Sequence, residues 1–181
     1  MAGKYLLGPA MLFALTAAQP AAAISHHSWD RASSIAAIGL GATALAVPVL
    51  QDDWSGTWQA GGSMIVGGGI AYGLKSIVHE NRPDGSGNDS FPSAHTALAF
   101  SAAATLENRY GWEAGLPAML VATFVGVARV QAKRHHWYDA VAGAAIGTTS
   151  GFLITSKHDD GVRLVPWGDS HGGGVALGMR F

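Results

Sequence analysis

Charged residues are missing from five stretches of this chain: Ala32 to Gln51, Trp54 to Leu74, Thr96 to Leu106, Ala114 to Ala128 and Ala140 to Ser156. None alternates apolar and polar positions with a period of two, all are longer than a typical strand, and alanine recurs in each, so five helices are predicted. A sixth apolar stretch, Tyr5 to Ala18, follows Lys4 and ends at Gln19-Pro20 and Ala21-Ala22-Ala23. It is short for a bilayer span, and its small-residue ending is that of a secretory signal peptide cleaved after Ala23; an uncleaved first transmembrane helix is the alternative. From Gly161 the pattern changes. Pro166 and a glycine-rich turn over 168–174 precede Val175, Leu177, Met179 and Phe181, which alternate with Ala176, Gly178 and Arg180. That is the period of a strand, and it predicts a hairpin docked on the helical body, since a lone hairpin is marginal in water. The expected division is therefore a signal segment over 1–23, a helical domain over 24–160 and a C-terminal hairpin or tail over 161–181.

Composition sharpens the class. The 181 residues are 49% hydrophobic and only 13% charged, with 25 glycines. Gly143, Gly147 and Gly151 fall at i, i+4 and i+8, a small-residue ridge that lets a second helix approach closely. The predicted fold is all-α, a bundle of about five apolar, transmembrane helices with a short β-hairpin; a soluble bundle with the same ridge is the alternative. A net charge of -1, with no basic cluster longer than Lys133-Arg134, gives no footprint for nucleic acid. The absence of cysteine excludes thiolate metal sites, disulfides and cysteine nucleophiles. Alternating the helices puts the polar breaks at 51–53 and 107–109 on one side and those at 80–89 and 131–137 on the other. With an exported N-terminus, the second side is periplasmic.

All the candidate chemistry lies on that side. Lys75 ends an apolar stretch and Arg82 precedes Pro83, which turns the chain out of helix, so two cations can converge on an anion. Ser93 is placed to cap a helix opening at Ala94, whose first amides attract anions, with His95 in the first turn. His135 and Asp139 are one helical turn apart, so the carboxylate can hold one imidazole nitrogen and leave the other free, as for an activated nucleophile. Arg129 can supply a bidentate phosphate contact. His136 makes the register ambiguous, but only His135 has Asp139 at i+4. His26, His27, His79, His158 and His171 lack a carboxylate at a spacing that fits and read as surface or loop residues.

These three groups, K-x6-R-P at Lys75 to Pro83, P-S-x-H at Pro92 to His95 and R-x5-H-x3-D at Arg129 to Asp139, resemble in order and spacing the signature of the type 2 phosphatidic acid phosphatase superfamily. The resemblance covers about 65 residues and implies a helical bundle that hydrolyses phosphate esters without metal or other cofactor, through a phosphohistidine. By that resemblance His135 attacks phosphorus, Asp139 holds its tautomer, and His95 protonates the leaving alkoxide. Lys75, Arg82, Ser93 and Arg129 bind the phosphoryl oxygens. Ala94 and Ala128 depart from the pattern, standing where the family has glycine and serine. Activity should survive the first if Ala94 keeps a negative φ; the second removes a hydroxyl contact. The implied partner is a phosphorylated lipid in a bacterial-type inner membrane, with the site facing the periplasm. A soluble periplasmic phosphatase of small phosphomonoesters, a vanadium-dependent haloperoxidase and a scaffold with a lapsed site are the competing readings.

Overall fold

A computed structural model describes residues 24–158, 162–169 and 172–179. The signal segment predicted over 1–23 lies outside the described residues. The elements are α1 (His26–Leu50), α2 (Trp54–Lys75), α3 (Ala94–Tyr110), α4 (Trp112–Gln131), α5 (Trp137–Ile154), β1 (Val162–Asp169) and β2 (Gly172–Met179). The five helices are those expected, with longer ends. The polar residues from His26 to Arg31 form the first turns of α1, because the Ser25 hydroxyl caps it by accepting from the Ser28 N–H at 3.1 Å. Asp53 caps α2 in the same way through Gly56 N–H, at 3.0 Å. Gly111, at φ +82°, stops α3 and lets α4 begin at the next residue.

Helix α3 is the axis of the bundle and packs against each of the other four helices. Its buried face is alanine and serine, including Ala97, Ala99, Ala102, Ala103 and Ala104, all fully buried. The bulky side chains point outward instead: Ile38, Trp58, Ile65, Leu120 and Leu153 are each more than 60% exposed. A water-soluble core is built the other way round, with large apolar residues inside. Small residues inside and large ones outside suit helices that pack by close van der Waals approach within lipid.

The glycine ridge of α5 faces a neighbouring helix, as its spacing predicts, and that helix is α3. A Cβ on Gly143 would stand 2.5 Å from the Ser93 carbonyl oxygen, and one on Gly147 would collide with the Ala97 carbonyl and come within 2.8 Å of Ser101 N. Gly67 and Gly68 of α2 serve the same purpose against Ser101 and Leu98, while Gly69 faces nothing. Because Gly147 meets backbone, which cannot rotate aside, Gly147→Ala is expected to destabilise the bundle by about 1–3 kcal/mol. Thermal unfolding in detergent checks this, with Gly69→Ala as the silent control.

Two polar ends close the bundle. At one end the buried Arg109 guanidinium donates to both oxygens of the Asp53 carboxylate and to Gln59 Oε1 at 3.1 Å, and the Tyr110 hydroxyl donates to Asp53 at 2.9 Å. At the other, the α2–α3 and α4–α5 loops lie together: Asp84 N–H donates to the Lys133 carbonyl at 3.0 Å, and Arg134 pairs with Asp84 at 3.3 Å. The two sides assigned from helix alternation are therefore the two ends of the molecule.

The hairpin forms, with Val162 opposite Met179 through to Asp169 opposite Gly172, but two expectations about it fail. Gly168 and the glycines at 172–174, expected in the turn, are strand residues instead. Among the described elements no helix builds a packed interface with either strand, so docking on the helical body is not observed.

Candidate active site

The bundle end formed by the two adjoining loops encloses a cavity of about 290 Å³, walled by Lys75, Arg82, His95, Arg129 and His135 among others. Each arrives from a different piece of backbone: the end of α2, the α2–α3 loop, the first turn of α3, the end of α4 and the α4–α5 turn. Lys75 Nζ donates to the carbonyls of Asp89 and Ser90, the latter at 3.1 Å, so the ammonium is pinned to the loop that crosses the site. Arg82 grips the Asp89 carboxylate with two bonds of 2.9 Å. That pairing holds the Asp89 carboxyl below the usual carboxylate range, with Lys75 adding to the effect.

Arg129 is 4% exposed. One of its terminal nitrogens pairs with Asp30, and its buried Nε has no partner, a donor left over for a ligand. Asp30 also accepts from Arg134 at 3.0 Å, so one carboxylate bridges two guanidinium groups at the cavity wall.

His135 is 2% exposed, and its Nδ1 lies 3.5 Å from Asp139 Oδ2. That is adjacency without a formed hydrogen bond, and both His135 Nδ1 and Asp139 Oδ1 are buried without partners. Burial, reinforced by the positive charges of Arg129 and Lys75, pushes the His135 imidazolium well below its ordinary pKa. A neutral ring with an available lone pair is the form a nucleophile needs. Asp139 itself is fully buried and held by Ser90 Oγ at 2.5 Å and the His136 N–H at 2.8 Å.

The i+4 spacing alone does not separate His135 from its neighbour, for His136 Nδ1 is also 3.5 Å from Asp139 Oδ2. What separates them is position. His135 lines the cavity, whereas His136 is about one-third exposed, stacks on Tyr138 at 5.0 Å and faces Glu80. Among the described residues, the Glu80, His136 and Asp139 donors form a trio that could hold a metal ion, beside the cavity rather than in it.

Two candidates are not brought to the wall: Asp139, which stands behind His135, and Ser93. Ser93 is fully buried, and its oxygen accepts from Thr96 N–H at 3.4 Å and Thr96 Oγ1 at 2.9 Å, capping α3. Its amide donates to the Asp139 carbonyl at 3.0 Å, tying α3 to α5 behind the two histidines. The wall at this point is Ala94, which has negative φ as required. Ala128 is fully buried.

Asp30, Ser90, Asp89 and Arg134 were not among the sequence candidates. Asp30 was visible only as part of a polar stretch, 99 residues from the arginine it pairs with. Ser90 had no signal beyond its place two residues before Pro92.

The model of the PAP2 superfamily matches residues 75–163, a span that opens on Lys75 and contains all seven candidates. The chain belongs to the PAP2 superfamily. Its PAP2 region resembles a lipid A 1-phosphatase of Porphyromonas gingivalis, 36% identical over 93 residues, covering 50% of this chain and 21% of that protein. A lipid A 4'-phosphatase of Helicobacter pylori is 30% identical over 123 residues, 62% of each chain. Among solved structures, Aquifex aeolicus LpxE superposes with a TM-score of 0.61 over 71% of this chain and 84% of that one, at 19% identity, a likeness of fold. The chain thus spans about a fifth and three-fifths of the two relatives' lengths.

Proposed function

We propose that this PAP2 protein hydrolyses a phosphate monoester or diphosphate of a lipid, without metal, through a phosphohistidine on His135. The observation that carries the reading is the cavity itself: four cations and two histidines from five separate backbone pieces line one pocket, with a buried carboxylate behind one of the histidines. Clustered cations stabilise charge on a transferring phosphoryl group, and a neutral buried imidazole can attack it.

The steps follow from those roles. A phosphate oxygen takes the place of the Asp30 carboxylate on Arg129, whose unpartnered Nε supplies a further donor, while Lys75 and Arg82 hold the remaining oxygens. His135 Nε2 attacks phosphorus, its bond to the ester oxygen breaks, and His95 gives that oxygen its proton. Asp139 meets the positive charge on the His135 ring as it forms. His95, now neutral, takes a proton from water; the resulting hydroxide displaces His135, and inorganic phosphate leaves. Ser93 acts from behind the wall: its hydroxyl caps α3, and the helix start it holds meets the phosphate through Ala94.

The membrane reading is supported by the outward-facing bulky residues and by α1 and α4, each long and apolar enough to cross a bilayer by length and composition. Trp54 and Trp112 at one end and Trp137 at the other are exposed where aromatic side chains settle at membrane interfaces. A soluble enzyme would leave that surface in water. The relatives' names point to a lipid phosphate as the substrate class, and an inner-membrane location with the cavity on the periplasmic face follows from the exported N-terminus read from the sequence.

The test is phosphate release by the detergent-purified chain from phosphatidate, phosphatidylglycerol phosphate, an isoprenyl diphosphate and lipid A, beside a water-soluble monoester. Turnover of at least one lipid is expected to persist in excess chelator and to be inhibited by vanadate, which imitates the five-coordinate phosphoryl state. Activity lost to chelator and returned by zinc or magnesium would make the histidines metal ligands and overturn the scheme.

A further inference from the structure

Beside the cavity, three metal-ligating side chains converge that the proposed chemistry uses only in part. One donor atom each of Glu80, His136 and Asp139 lies within 4.8 Å of the others. His136 Nδ1 is 3.8 Å from Glu80 Oε1 and 3.5 Å from Asp139 Oδ2. Donor atoms around a tetrahedral ion with bonds of about 2.1 Å stand roughly 3.4 Å apart, so these separations are close to the edges of such a site. A second observation is independent of the distances. His136 Nδ1 and Asp139 Oδ1 are both buried without a hydrogen-bond partner, and the Asp139 side chain is wholly buried. Buried polar atoms left unpaired are uncommon and call for an occupant or a reason.

The three side chains are also held in place. The Tyr138 hydroxyl donates to Glu80, the His136 ring stacks on Tyr138 with 5° between planes, and Ser90 Oγ fixes Asp139 at 2.5 Å. Outer-shell bonds of this kind orient ligands. Glu80 and His136 remain about 30% exposed, which leaves an entry path for an ion. We propose that Glu80, His136 and Asp139 form an inhibitory site for a late first-row divalent cation such as Zn²⁺, with water at the fourth position. One imidazole and two carboxylates suit Zn²⁺, whereas Mg²⁺ favours an all-oxygen shell over an imidazole nitrogen.

Occupancy draws the Asp139 charge onto the ion and away from the His135 ring 3.5 Å off. Turnover then falls while Lys75, Arg82 and Arg129 still bind phosphate, so kcat drops and KM does not. The inhibition rests on the phosphohistidine reading above; the binding does not.

The experiment compares the full-length chain with Glu80→Gln and His136→Ala, neither of which touches the phosphate. Co²⁺ is titrated first, as a spectroscopic stand-in that gives intense visible bands when tetrahedral. Buffered free Zn²⁺ is then titrated against hydrolysis of para-nitrophenyl phosphate. One equivalent of Co²⁺ should give those bands and be displaced by Zn²⁺; Zn²⁺ should lower kcat with KM unchanged, and chelator should restore it. Both variants should keep basal turnover, lose the bands and need at least roughly tenfold more Zn²⁺ for half-inhibition. Absence of Co²⁺ bands in folded wild-type protein, or equal zinc sensitivity in all three proteins, would overturn the site. Bands that vanish in the variants of a chain with no turnover on any phosphate ester would support the cation site and refute the phosphatase instead.

Discussion

His135→Ala is expected to abolish turnover and, with it, any acid-labile phosphoenzyme trapped by quenching during hydrolysis. No other group in the cavity can replace it. His95, the proposed proton donor, sits in the first turn of α3, and His136 faces Glu80 across the outer side of Asp139. Removing the nucleophile of a hydrolase that works through a covalent intermediate costs on the order of 10⁴- to 10⁶-fold in kcat, the remainder coming from binding alone. The companion His136→Ala should keep basal activity in the absence of added metal. Both rings stand 3.5 Å from the same Asp139 oxygen, so the pair decides between them directly. An inactive His136→Ala beside an active His135→Ala would exchange their roles. Rapid-quench labelling with a radioactive phosphate ester is the measurement, since it reads the covalent step rather than overall rate.

The second large effect belongs to His95→Ala, and its sign depends on the substrate. An alkoxide leaving group must be protonated as its bond to phosphorus breaks, and a positioned acid typically contributes about 10²- to 10⁴-fold. A phenolate such as para-nitrophenolate leaves without that help. The variant should therefore lose a factor in that range on a lipid or alkyl phosphate and much less on para-nitrophenyl phosphate, with burst labelling of His135 retained on the latter. Equal losses on both esters would mean that His95 binds phosphate or shapes the start of α3 rather than moving a proton. His95 is half-buried among Arg129, Arg82 and Lys75, which oppose a positive ring, and Asp30, which favours one. A bound phosphate dianion adds negative charge to that balance and favours the protonated acid.

Much of this was legible along the chain because it is written at short range. Helix existence follows from runs of uncharged residues, and the cap at Ser93 follows from a residue type at a fixed offset from the first helical turn. The ridge at Gly143, Gly147 and Gly151 was readable from 3.6-residue periodicity, and it does face a neighbour, though only the structure shows that the neighbour is α3. The three groups that mark the PAP2 superfamily also kept their spacing.

Contacts between segments distant in the chain leave no such trace. Asp30 reaches Arg129 and Arg134 only because α1 begins beside the end of α4, and Ser90 holds Asp139 across 49 residues because the α2–α3 loop folds over the site. The i+4 spacing proposed a pairing of Asp139 with His135, yet a carboxylate at a helix start meets i-3 and i-4 neighbours alike. Burial then distinguished them, putting His135 in the cavity and leaving His136 partly in solvent. The sequence by itself determined where the charges, the paired histidines and the α3 cap lie, and that they share one end of five helices, since local propensity and periodicity need no partner. Only the tertiary structure decided which carboxylate answers which arginine and which face of Asp139 meets which histidine, because those depend on how helices cross, and crossing is set by side chains packed from opposite ends of the chain.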